Sequence, residues 1–238
     1  NGESLGRRMI LDMFGNYVKH KEYYITPISY DETKPFILNI HYAKRMPSIS
    51  YAYGLFKNNK LIGIVSYGSP SSPSLCSGIA GKKYKHLVLE LNRLVLKENR
   101  KNQASILIGA SFKLLPKPKI IVSYADTAQD HLGVVYQATN FMFTGTSKPR
   151  TDMAGKDGKH SRHHLGDRAK RVYRSAKHRY IYFLGNKTEK KQFKKSLKYS
   201  IKDYPKKQIE QFIKPHAKGQ WKRVAQKPKV ENCNNGSE

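Results

Sequence analysis

SYADTAQDHLGVVYQATNFMFTG, residues 123–145, joins the end of an apolar strand, an acid, a short helical run and an aromatic strand in one compact unit. The run Ile120, Ile121, Val122 that leads into it is β-branched, short and preceded by Pro116 and Pro118, the pattern of a fully buried strand. Asp126 is thereby placed just past a strand's carboxyl end. In open α/β sheets ligands collect in the crevice outside those ends, so Asp126 is a candidate for meeting a substrate or an ion. Tyr136, farther along the same unit, can point back toward it.

Working outward, residues 51–56 and 61–67 are aromatic or β-branched runs joined by Lys57, Asn58, Asn59 and Lys60, which predicts a hairpin. Residues 68–81 are rich in Ser, Pro and Gly and read as a long loop. Residues 87–96 form a predicted strand carrying Glu90, Asn92 and Arg93, and apolar residues at helical spacing occupy 103–115. Strand, helix and strand in that order imply a right-handed crossover and parallel pairing. Strict alternation sets Arg93 on the face of Leu89 and Leu91, opposite Glu90 and Asn92. Further strands are expected at 140–146 and 179–184, separated by a stretch at 155–167 that reads as disordered. A basic helix is expected at 188–199 with Thr188 as its N-cap. No internal repeat is present.

Composition bounds the function. The chain has 238 residues and a formal net charge of +28, so a polyanionic partner is expected, and nucleic acid is the favoured one. No apolar run approaches the roughly 20 residues of a spanning helix, so no membrane partner is expected. Cys76 and Cys233 stand in unlike settings without metal spacing, which fits a reducing compartment such as the cytoplasm. The first residues, NGESLGRR, do not read as a secretory signal. From Arg168 to Lys229 basic residues are interleaved with Tyr173, Tyr180, Tyr182, Phe193, Tyr199, Tyr204 and Trp221, a pattern suited to phosphate neutralisation and base stacking. The run His160 to His164 lies among Lys and Arg, which favours phosphate contacts over metal binding. Candidate phosphate contacts are Arg162, His163, Arg168, Lys170, Arg171, Arg174, Lys177 and Arg179.

The order hairpin, strand, crossover helix, strand, short helix, strand is similar to that of the acetyltransferase-like (GNAT) fold. The expected fold class is therefore α/β, a GNAT-like mixed sheet with flanking helices and a basic C-terminal extension. The expected divisions are 1–35 as an N-terminal segment, 36–150 as the catalytic core, 151–207 as a basic region completing the domain, and 208–238 as a basic tail. In the GNAT family, spaced glycines at a helix N-terminus hold a pyrophosphate. Here the aligned residues are Arg100, Lys101, Asn102, Gln103, Ala104 and Ser105, whose side chains crowd a diphosphate, so acetyl-coenzyme A is not the expected donor.

The blocks ISYAYGLF (49–56), LELNRLVL (89–96), SYAD (123–126), YQATNF (136–141) and HRYIYFLG (178–185), in this order, resemble the phage Mom family of DNA modification proteins. The resemblance spans roughly 36–206. It implies an enzyme that converts adenine in double-stranded DNA to N6-carbamoylmethyl adenine and so hides phage DNA from restriction; the group donor is not readable. It also implies a bound iron, with His41, Tyr42, Asp126 and Tyr136 as ligands, a donor set that suits iron better than a structural zinc. Catalytic roles are expected for Asp126, Tyr136, Arg93, Tyr42 and Ser105. Exposing the paired base calls for stacking faces, for which Tyr51, Tyr53, Tyr124 and Phe141 are candidates. Two readings from other classes stay open: a coenzyme A-dependent N-acyltransferase, and a nucleic-acid-binding protein without catalysis.

Overall fold

The computed structural model describes residues 17–153 and 171–206. An eight-stranded mixed sheet runs β1(Val18–His20), β2(Tyr23–Pro27), β3(Tyr51–Lys57), β4(Lys60–Gly68), β5(Val88–Leu96), β6(Lys119–Asp126), β10(Lys177–Leu184), β7(Met142–Thr146) in spatial order. A separate two-stranded sheet pairs β8(Arg150–Met153) with β9(Arg171–Arg174). The predicted hairpin is β3–β4, and β5 and β6 pair in parallel across the crossover helix α3(Gln103–Leu114). The sheet begins before residue 36, because β2 pairs with β3 along its whole length. The α/β fold class expected from the sequence is the one observed.

Alternation along the strands sorts the core onto two faces. On one, Leu107, Ile108 and Phe112 of α3 pack on Ile25, Leu55, Tyr67, Leu91, Ile121 and Tyr180. On the other, Ile79 of α2(Pro73–Tyr84) and Phe193 of α5(Lys187–Ser196) cover Val88, Ile120, Val122, Ile181 and Phe183. Beyond that cluster, Phe36 and Ile37 pack on Ile64 and Val95. They belong to a π-helical turn, Phe36–Ile40, that follows the short helix α1(Tyr30–Pro35).

Three expectations change. The predicted loop at 68–81 holds α2, started by the Ser72 side chain and Pro73 and kinked at Gly81, whose φ is 71°. The last helix begins at Lys187 with Asn186, not Thr188, as N-cap, because Asn186 and Glu189 close a capping box. Finally, the register of β4 against β5 shifts between Ser66 and Tyr67, so that Ser66 faces Arg93 while Tyr67 faces Leu91. Asn92 is the extra residue of this β-bulge, and it reverses the alternation beyond it. Arg93 therefore lies on the same face as Glu90, not with Leu89 and Leu91.

Gly133 and Gly109 test the packing in opposite senses. Gly133, φ 70°, precedes α4(Val134–Ala138), and a Cβ there would lie 2.4 Å from the buried Tyr180 ring. A Cβ on Gly109, within α3, would meet nothing within 4 Å. Gly133→Ala is expected to cost about 2 kcal/mol or more through overpacking and left-handed strain. Gly109→Ala is expected to gain about 0.5–1 kcal/mol. Urea unfolding midpoints check both.

Candidate active site

Parallel pairing of β5 and β6 ends at Leu91 and Ser123, although β5 continues to Leu96 and β6 to Asp126. The Ser123 hydroxyl donates to the Leu91 carbonyl at 2.9 Å, closing the ladder at that point. Beyond it the strands splay around a cavity of about 650 Å³. Its wall draws on both faces of the sheet: Ala104, Val135 and Tyr136 from α3 and α4, and His41, Tyr42, Glu90, Arg93 and Lys177 from the other side, with Tyr124 and His131 completing it.

The segment after the π turn is tied to β5 by the bulge. Asn92 donates from Nδ2 to the Ser48 carbonyl at 2.7 Å and accepts from Ser66 Oγ at 2.7 Å. Arg93 donates to the carbonyls of Asn92 and Arg45 at 2.6 and 2.8 Å, leaving its buried Nε without a partner among the described residues. His41 stacks on Tyr42 with ring centroids 4.4 Å apart, and the His131 ring meets the Tyr42 ring edge-on at 6.0 Å. His41 Nδ1 accepts from the Ala43 N–H at 3.0 Å, which puts the proton of the neutral ring on Nε2. Burial, Arg93 and His131 hold the His41 pKa down to about 4, so the ring is neutral at physiological pH. Burial pushes the Tyr136 phenol, which faces Ser123, up to about 12. Burial and then the Asp126 charge raise Tyr42.

Asp130 lines the cavity, and two further carboxylates there differ in kind. Asp126 is the last residue of β6 and caps a 3-10 turn, Thr127–Gln129. Its Oδ1 accepts from Ser175 Oγ at 2.5 Å and from the Ala128 N–H at 3.0 Å, and its Oδ2 lies 3.5 Å from Lys177 Nζ. Burial pushes this carboxyl up, but the hydrogen bonds from Ser175 and Ala128 and the Lys177 charge outweigh it and hold it below the usual range. Glu90 lines the cavity on the Arg93 face. Burial raises its pKa against the opposing pull of Lys177, Arg93 and the Ser71 N–H. It is the more basic of the two.

His41, Tyr42, Arg93 and Tyr136 are thus brought together around one cavity, and Asp126 borders it with both oxygens engaged. Ser105 is not part of it; its hydroxyl donates to the Asn102 carbonyl and faces a different depression, shared with Lys113, Lys117 and Lys190. Of the four residues expected to hold iron, His41 accepts at Nδ1 from the Ala43 N–H and keeps Nε2, Asp126 accepts at Oδ1 from Ser175 and Ala128, and burial raises both phenols. Glu90, Tyr124 and His131 complete the wall and were not among the expected catalytic residues. His131 lay in the 123–145 unit, and Glu90 would have followed from a recognised bulge.

The basic residues divide too. Arg179 donates to Thr144 Oγ1 and to the Thr144 carbonyl, both at 2.9 Å, and its guanidinium lies 3.3 Å over the Tyr199 ring, so it braces β10 instead of facing solvent. Lys177 faces Asp126, Arg174 is partly buried, and Arg171 lies in β9. Arg162, His163, Arg168, Lys170, the run at 160–164 and Trp221 lie outside the described residues. Of the expected stacking faces, Tyr53, Phe141, Tyr180 and Phe193 are core residues: Tyr53 and Tyr180 hold inward positions of β3 and β10, Phe141 packs just ahead of β7, and Phe193 lies on the inner face of α5. Tyr124 reaches the cavity, and Tyr173 is exposed.

Comparison with known proteins adds to this geometry. Methylcarbamoylase mom of Escherichia phage Mu is 28% identical over 206 residues, covering 78% of this chain and 85% of the phage protein. Solved acetyltransferases align at lower similarity. An N-acetyltransferase from Staphylococcus aureus is 15% identical, with a TM-score of 0.42 over 68% of this chain and 98% of its own. A GNAT-family acetyltransferase from Bacillus cereus is 11% identical, with a TM-score of 0.41 over 69% and 99%. The model of the Mom protein family matches residues 22–206, which take in everything from β2 to α5, and the chain belongs to that family.

Proposed function

We propose that the protein converts adenine in double-stranded DNA to N6-carbamoylmethyl adenine and so protects phage DNA from restriction. The observation that carries this reading is the cavity between β5 and β6, which joins a basic carboxylate, an arginine and aromatic walls in a chain of net charge +28. The likeness to the phage Mu protein, named a methylcarbamoylase, supports a group transfer. Adenine N6 is a weak nucleophile paired inside the duplex, so the base enters the cavity extrahelically. N6 then attacks the methylene carbon of an electrophilic carbamoylmethyl donor. The N–C bond forms, the leaving group departs with its electron pair, and the N6 proton passes to Glu90. Arg93 steadies the negative charge that develops on the donor. Asp126 positions the Ser175–Lys177 turn, and Tyr136 with Ser123 forms the floor. The basic residues around β9 hold the phosphates.

Mass spectrometry of nucleosides from cells expressing the chain tests the reaction; an unchanged adenine pool beside folded protein refutes it. Glu90→Gln separates catalysis from architecture. Loss of a general base costs roughly 10²-fold or more in rate, read as the accumulation of modified adenine after induction. The stability effect runs the other way. A carboxyl whose folded pKa is raised contributes stability below its unfolded pKa of about 4.3, and that contribution is lost as pH rises through the folded value. At pH 8 Glu90→Gln is therefore expected to melt at a higher temperature than the parent while failing to modify DNA. A lower melting temperature would assign Glu90 a structural role instead.

A further inference from the structure

The mouth of the cavity carries apolar side chains that packing does not explain. The π turn buries Phe36 and Ile37 and turns Leu38 and Ile40 outward, 40% and 46% exposed. Its closing hydrogen bond, from the His41 N–H to the Phe36 carbonyl at 3.0 Å, holds that orientation. From across the cavity comes Val134, 68% exposed. It is placed by Gly133, whose left-handed backbone lies against the Tyr180 ring too closely for any side chain. Ile40, Tyr42 and Val134 all line the cavity. Single exposed apolar residues are ordinary. A cluster contributed by two unrelated elements at one opening marks an interaction surface.

The setting selects the partner. Lys44 is exposed two residues beyond Tyr42, and within the cavity Arg93 and Lys177 stand with Glu90 and Asp130. The chain as a whole carries a net charge of +28 and complements a polyanion. Apolar groups at an opening on so basic a protein match DNA whose phosphates flank a disrupted base stack. An extrahelical base leaves a gap, and a nonpolar wedge that fills it keeps the base from returning.

Resting on the proposed base modification, we infer that Ile40 and Val134 form a two-sided wedge that enters the stack beside the extruded adenine, with Tyr42 stacking at the mouth. The wedge is a positioning device and takes no part in bond making. The test places 2-aminopurine in a duplex at an adenine position found modified in cellular DNA, and follows its fluorescence with the full-length protein. The parent is expected to raise the fluorescence at least threefold. Ile40→Ser with Val134→Ser is expected to lose most of that rise while duplex affinity changes less than twofold, and Ile40→Leu with Val134→Leu is expected to restore it. An equal rise in parent and serine variant overturns the wedge while leaving the reaction standing. Sedimentation showing a parent dimer and a monomeric serine variant also overturns it, since the patch would then join two copies. Absence of modified adenine in cells expressing the parent removes both the reaction and the wedge.

Discussion

The end of pairing between β5 and β6 is the constraint on which the rest depends. A parallel ladder that stops at Leu91 and Ser123 leaves unpaired backbone on two strands in the middle of a sheet, and such groups must find other partners or be reached by solvent or ligand. The Ser123 hydroxyl takes one carbonyl, and the cavity takes the remainder. Antiparallel pairing along the whole of β6 with β10, and of β4 with β5, holds the two strands from outside so that the gap neither closes nor spreads.

Charge is distributed around that gap by the backbone as much as by the side chains. One extra residue at Asn92 turns Arg93 to the Glu90 face, and the displaced amide of Asn92 fastens the segment that carries His41 and Tyr42. A bulge beside a site is a common way to re-aim a side chain. The neutral His41, the ionised and tethered Asp126 and the more basic Glu90 follow from three different surroundings within one small volume.

Much of the frame was legible because it rests on local pattern. The run at 120–122, the helical spacing of 103–115 and the turn residues at 57–60 each predict their element, and their order predicts the parallel pair. What was not legible depends on distant partners. The bulge at Asn92 exists only against Ser66 and Tyr67 of the neighbouring strand. Asp126 resembles a free catalytic acid until Ser175, 49 residues on, is seen to donate to it. Arg179 reads as a phosphate contact until Thr144 and Tyr199 enclose it. Helix α2 went unseen because its Ser, Pro and Gly content mimics a loop, although Ser72 and Pro73 are good starting residues.

A cavity walled by α3 and α4 on one face of the sheet and by the His41–Arg45 segment on the other is assembled from segments far apart in the chain. Asn92 fastens one of these walls through the Ser48 carbonyl. A substitution at Asn92 is therefore transmitted along the backbone to His41 and Tyr42, so the shape of the cavity is set in part by a residue chosen for its amide and not for any chemistry of its own.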